Sequence, residues 1–247
     1  MAKKVYVGIG HGGSDSGAVA NGFREKDLNL SVGNACSAYL RKAGVEVKQS
    51  RTDDRDVTIN TKVAQANSWG ADLVLDIHHN AGGGDGAEVY YSRVGGTSKK
   101  LATNILTQIV ALGQQNRGEK IKLGSSGRDY FGMVRDTYAP AVLVECAFMD
   151  SKDIEIVDTE PERVRMGEAI AKGILKTLGI AFPDVFVKGD IDGDGKVTAK
   201  DARLAAQFAA RLAKPTADQI KRGDMDGDGK ISAKDARTIL RKAAKLE

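Results

Sequence analysis

Apolar and polar positions alternate along the chain between two periods. Val5 to Ile9 is a short apolar run interrupted only by glycine, and it reads as a first strand. From about Glu25 to Lys42 the apolar positions Leu28, Val32, Cys36 and Leu40 recur every four residues, with Ala35 and Tyr39 beside them. That spacing predicts a helix with Glu25 in its first turn, closed by Gly44. Val45 to Gln49 reads as a second strand, Thr58 to Ser68 as a weakly amphipathic helix, and Ala71 to Ile77 as a third strand. A strand over Ala87 to Tyr91 follows, then a helix over Ser98 to Leu112 with Leu101, Ile105, Ile109 and Leu112 on one face. Tyr130 to Val134 is expected to be a strand, Ala141 to Val144 a buried strand, and Glu162 to Leu178 a final helix. Strands that alternate with helices predict an α/β fold, a mostly parallel sheet with helices on both faces.

In such sheets ligands gather at the carboxyl ends of the strands. Three predicted strands deliver polar residues there: His11 after the first, His78 and His79 after the third, and Glu145 after Ala141 to Val144. These are all the histidines in the chain. Two histidines and a carboxylate with a coordination position left open form a catalytic zinc set, and a second carboxylate suits a general base. Periodicity leaves open whether His78 or His79 takes part, because neighbours on a strand face opposite ways. It also leaves open which of Glu25 and Glu145 is the ligand.

Composition narrows the setting. The 247 residues are 41% hydrophobic and 28% charged, as in a folded globular chain with one sizeable core and a small accessory unit. A net charge of +4 is too mild to argue for nucleic acid, and no apolar run approaches the roughly 20 residues that span a bilayer. The two cysteines lie far apart, and Cys36 falls on a helix's apolar face as a buried free thiol. The stretch from Met1 to His11 is too short for a signal-peptide core. This predicts synthesis in the cytoplasm. Secretion is the alternative if a leader has been removed.

Four blocks carry a resemblance: Gly10-His11-Gly12-Gly13, Glu25-Lys26-Asp27, Ile77-His78-His79-Asn80 and Leu143-Val144-Glu145-Cys146-Ala147-Phe148. In this order, over residues 5 to about 180, they resemble the zinc N-acetylmuramoyl-L-alanine amidases of bacterial wall hydrolases and phage lysins. Thr52-Asp53 and Arg117-Gly118 are similar to further family positions. The resemblance implies zinc on His11, Glu25 and His78, with His79 at the variable position of an Ile-His-any-Asn pattern. It implies Glu145 as general base toward a zinc-activated water, peptidoglycan as substrate, cut between N-acetylmuramic acid and L-alanine of the stem peptide, and action at the bacterial wall after release. The chain departs from the pattern at Gly8-Ile9, where Asp-Pro is usual, at Asp76, where Ser is common, and at Ala147, which replaces a Gly. Asp76, two residues before His78 on the same strand face, is placed to orient that ring, to form a local salt bridge or to lie at a solvated strand end.

From Pro183 the composition shifts, and a repeat of period 34 appears. Each copy is a twelve-position calcium loop with glycine at position 6. The first offers Asp190, Asp192, Asp194, the Lys196 carbonyl and Asp201; the second offers Asp224, Asp226, Asp228, the Lys230 carbonyl and Asp235. Thr198 and Ser232 are expected to act through water. Such clustered carboxylates repel without a cation, so calcium is expected as a structural cofactor at both loops. Leu204, Phe208, Ile239 and Leu240 are expected to form a small shared core. Loop followed by exit helix, twice, resembles a type I dockerin and predicts a small all-α, EF-hand-like domain over 183–247 behind a catalytic domain over 1–182. The tail carries 14 Lys and Arg against 11 Asp and Glu. Its expected partner is a cohesin-like protein or an anionic wall polymer. At loop positions 10 and 11, where dockerins mark their cohesin face, both copies have Ala-Lys, in place of the small-hydroxyl pairs often found. From a different class, the chain reads as a calcium-dependent docking or wall-binding protein with an inactive amidase domain. The intact His11, Glu25, His78 and Glu145 argue against that.

Overall fold

The structure, a computed structural model, describes residues 2–183 and 187–246. It divides into two compact units, Met1–Pro183 and Asp184–Glu247. The first unit runs β1 (Lys4–Ile9), β2 (Val19–Ala20), β3 (Phe23–Arg24), α1 (Glu25–Lys42), β4 (Glu46–Gln49), α2 (Ile59–Trp69) and β5 (Leu73–Asn80). It continues through β6 (Ala87–Tyr91), α3 (Thr97–Val110), β7 (Asn116–Lys120), α4 (Gly132–Arg135), β8 (Ala141–Phe148), a 3-10 turn (Lys152–Ile156) and α5 (Glu160–Leu178).

Six strands form one sheet in the order β4-β1-β5-β8-β6-β7. All neighbouring pairs are parallel except β6 with β8. Alternation assigns the two faces. Val5, Val7, Ile9, Leu75, Ile77, Val142 and Val144 pack with α1, α3 and α5 into the main core. Tyr6, Val74 and Ala141 point the other way, onto Ala66 of α2 and Met133 of α4. Helix α5 lies close against α1 because Gly167 has no side chain; a Cβ there would come within 2.5 Å of the Val32 carbonyl oxygen. Cys36 and Cys146 are free and buried in this core.

The expected strand at Tyr130 to Val134 is not one: Gly132–Arg135 is the short helix α4. Met133 and Val134 are consecutive and both buried, at 1% and 6% exposure, which a helical turn permits and a one-sided strand does not. Strand β7 has no apolar residue, and β2 and β3 are two residues each, too short for any period to show.

The second unit has helices α6 (Ala199–Ala209), α7 (Ala217–Gly223) and α8 (Ala233–Ala243). Its core is Ile191, Ala202, Ala205, Phe208, Ile231 and Ile239. Phe208 and Ile239 take their expected places and Leu204 packs at the margin, but Leu240 is 51% exposed and lies outside this core. One residue further along a helix turns the side chain through about 100°, away from the packed stripe.

Candidate metal centre and calcium loops

His11, Glu25 and His78 come together at the carboxyl edge of the sheet, each offering a ligand atom within 4.8 Å of the others. Each arrives from a different element. His11 follows β1 with φ 57°, a left-handed conformation that a non-glycine residue holds only when its surroundings impose it. Those surroundings are built by two cations. Arg51, 1% exposed, donates to the carbonyls of Gly10 at 3.2 Å and Lys26 at 2.7 Å. Lys26 donates to the Gly13 carbonyl at 2.7 Å. Glu25 is the first residue of α1 and is buried. His78 lies in β5, and Gly10 opens the space for its ring, since a Cβ at Gly10 would sit 2.5 Å from His78 Cε1.

The Glu25 carboxylate lies between the two imidazoles, with His11 Nε2 3.1 Å from Oε2 and His78 Nδ1 3.0 Å from Oε1. The Ala18 and His79 amides hold the same carboxylate at 3.0 Å and 3.1 Å. Each ring's other nitrogen faces an aspartate: His11 Nδ1 is 2.7 Å from Asp15 Oδ2, and His78 Nε2 is 3.3 Å from Asp76 Oδ2. Burial pushes the Glu25 carboxyl up, but the two imidazoles outweigh it and hold it far below the usual carboxylate range. Burial pulls His78 down, yet Asp76 and Glu25 together carry it up to about 10. Two imidazoles and a carboxylate with the rings steadied from behind are a donor set that fits a divalent transition metal, which would displace the imidazole protons.

Period-two alternation separates the neighbouring histidines. His79 points to the main-core side, is 3% exposed, and sits 2.7 Å from Asn29 Oδ1 through Nδ1. Burial lowers its pKa to about 4, and its direction toward the core leaves it outside the ligand cluster. Glu145 is the register partner of His78 on β8. Its Oε2 is buried without a hydrogen-bond partner, and burial pushes the carboxyl up to about 7 against the pull of His78. A cleft of about 400 Å³ opens over these groups, lined by His11, His78, Glu145, Lys62, Ile59 and Phe131 among others. Asp15, Arg51 and Lys62 have no signature in the sequence.

In the second unit the carboxylates of Asp190, Asp192 and Asp194 cluster within 4.8 Å, as do those of Asp224, Asp226 and Asp228. Asp201 and Asp235 stand outside these trios. Asp201 Oδ1 accepts from the Ile191 and Asp192 amides at 2.9 Å and 3.1 Å, and Oδ2 from the Thr198 amide at 2.9 Å. Asp235 does the same toward Met225 at 2.7 Å and Ser232 at 2.8 Å. Thr198 and Ser232 cap the exit helices. The Lys196 and Lys230 amides donate to Asp194 and Asp228 at 2.9 Å and 3.0 Å, which curls each loop at its seventh position. Lys200 and Lys234 fold back onto Asp192 and Asp226 at 2.7 Å and 2.9 Å, bringing positive charge to the acidic turns.

Residues 5–176 match the family model described as N-acetylmuramoyl-L-alanine amidase, and residues 188–242 match the type I dockerin domain. The sporulation-specific N-acetylmuramoyl-L-alanine amidase of Bacillus subtilis is 38% identical over 152 residues, which are 60% of this chain and 57% of that protein. The endolysin of Bacillus phage SPP1 is 34% identical over 190 residues, 73% of this chain and 68% of that one. Among solved structures, the catalytic domain of the amidase CwlV from Bacillus (Paenibacillus) polymyxa var. colistinus superposes with a TM-score of 0.66 at 29% identity, covering 72% of this chain and 99% of that one. With its fold, its ordered histidine and glutamate blocks and its paired calcium-type loops accounted for, the chain belongs to the N-acetylmuramoyl-L-alanine amidase family and carries a type I dockerin domain.

Proposed function

We propose that this chain is a zinc-dependent peptidoglycan hydrolase that cuts the amide between the lactyl group of N-acetylmuramic acid and L-alanine of the stem peptide. His11, Glu25 and His78 hold the zinc. The observation that carries the reading is the meeting of these three donors beside Glu145, whose unpaired buried oxygen faces a cleft large enough for a peptide segment. Zinc bound there supplies Lewis acidity, which polarises a carbonyl and acidifies a water. Glu145 does the proton work. A carboxyl raised toward neutrality by burial accepts a proton from the attacking water and releases it again to the leaving nitrogen. That delivery is needed because an amine anion is a very poor leaving group. Glu25, ionised across the working range, does not compete for that proton.

The experiment is digestion of purified peptidoglycan followed by mass spectrometry. Stem peptides with a free N-terminal L-alanine are the expected product, absent when the protein has been stripped of metal. Cleavage at any other bond overturns the substrate assignment. The second unit takes calcium at its two acidic turns and offers two near-identical faces, Ala199-Lys200 and Ala233-Lys234, to a cohesin-type partner. Calorimetric titration with a type I cohesin, in calcium and in chelator, checks this. Binding only to anionic wall polymer would redirect it.

A further inference from the structure

Asp76 lies in the middle of β5 at 3% exposure, one turn of the pleat behind His78. Its carboxylate is divided between two partners. Oδ2 is 3.3 Å from His78 Nε2, and Oδ1 is 3.4 Å from Nζ of Lys62. Lys62 is unusual in its own right. It comes from α2, is 4% exposed, and donates at 2.7 Å to the carbonyl of Ile9, the last residue of β1 before the His11 loop. A buried lysine therefore ties together the two strands that deliver the histidines. Without that cation a third carboxylate would lie unbalanced beside Glu25 and Glu145, and a buried unpaired charge is costly.

Gly8 is the register partner of Asp76 on β1. A Cβ at Gly8 would lie 2.4 Å from Asp76 Oδ1. The volume under the two histidines thus has room for one carboxylate, reached either from β1 or from β5. Glycine at 8 and aspartate at 76, two separate departures from the family pattern along the chain, are one feature in space.

On the zinc reading above, we propose that Asp76 is a positioning residue for His78 and that Gly8, Asp76 and Lys62 form one exchangeable unit. Asp76 accepts from Nε2–H and so fixes the tautomer that leaves Nδ1 as the donor facing Glu25 and His11. Lys62 balances the buried charge and locks β1 to β5. Gly8 supplies the space. A carboxylate entering from position 8 would meet the same lysine.

The test uses the full chain, with zinc affinity read by competition with a chromogenic chelator and the melting temperature of metal-stripped protein read in parallel. Asp76→Ser is expected to weaken zinc binding by about 10–100-fold. Gly8→Asp alone crowds two carboxylates into one space and also weakens it. The double variant Gly8→Asp/Asp76→Ser is expected to return to within about threefold of the unmodified chain, the non-additivity that marks two residues sharing one site. Asp76→Ser binding zinc as tightly as the unmodified chain overturns the proposal. So does a double variant that melts normally yet binds no better than Asp76→Ser. Should either serine variant fail to fold, the shape-conserving Asp76→Asn decides: about tenfold weaker zinc binding supports the role, and unchanged affinity refutes it. An unmodified chain that binds no zinc would instead refute the metal reading itself.

Discussion

Glu145 and His78 are register partners on adjacent parallel strands, β8 and β5, so a proposed base and a proposed ligand share one rung of the sheet. The backbone hydrogen bonds that hold that rung hold the base in place, and no loop movement is needed to bring it to the metal centre.

Glu145→Gln is therefore expected to keep its zinc and lose hydrolysis by about 10²–10⁴-fold, the usual contribution of a general base. Metal content and loss of turbidity of purified walls measure the two sides. An active variant with full metal content would sink the assignment.

The same substitution has a stability signature. A carboxyl whose folded value is raised to about 7 takes up protons on folding, so it costs stability increasingly as pH rises from its ordinary value of about 4.5. Metal-stripped Glu145→Gln should be more stable than the unmodified chain at pH 8, by at most about 3 kcal/mol, with little difference at pH 4.5. Denaturant titration at the two pH values checks the sign.

Metal-stripped protein should have an acid-shifted stability optimum. His78, raised to about 10, contributes stability that is full below its ordinary value of about 6.5 and is lost as pH climbs through 10, and His11 shifts the same way. Glu25 and Asp76 are lowered, so their contribution is present above about 4 and fades as pH falls further. The melting temperature should accordingly fall between pH 6 and 10, whereas zinc, which binds deprotonated ligands, should restore it increasingly over the same range. A flat profile without metal would contradict the pairing described at the site.

Calcium should act on the second unit alone. Six clustered carboxylates in two turns predict that calcium added to metal-stripped protein raises one melting transition and leaves the other unchanged. Each loop should gain about 3 kcal/mol when free calcium is ~100-fold above its dissociation constant. Calorimetry of the metal-stripped full chain with and without added calcium reads this. Inside that unit, Ile239→Ala should cost about 3 kcal/mol, while Leu240→Ala, at 51% exposure, should stay within about 0.5.

The chain's own pattern was enough to read the α/β alternation, the strand ends that carry chemistry, and both acidic loops, because these features are local. Period two brings polar residues to strand ends, period 3.6 places Leu28 to Leu40 on one helix face, and a twelve-residue loop writes its donors at fixed intervals. The same locality misled at Tyr130 to Val134, where four apolar residues fit a strand or a helix turn equally well and only packing of Met133 beneath the sheet selects the turn. It misled again at Leu240, one step off the buried stripe.

Tertiary structure alone decided which groups stand behind the ligands. His78 and His79 are neighbours in sequence, and registration of β5 between β1 and β8 sends one to the candidate metal centre and the other into the core against Asn29. Arg51 and Lys62 are separated from the residues they serve by whole elements, and Asp15, only four positions from His11, lies in an irregular loop, so no periodicity marks them. Gly8 and Asp76 lie 68 positions apart, and their relation exists only because two parallel strands pair in one register. Local pattern determined what each segment is. The long-range pairing of strands, which no window of sequence contains, determined what each reactive side chain faces.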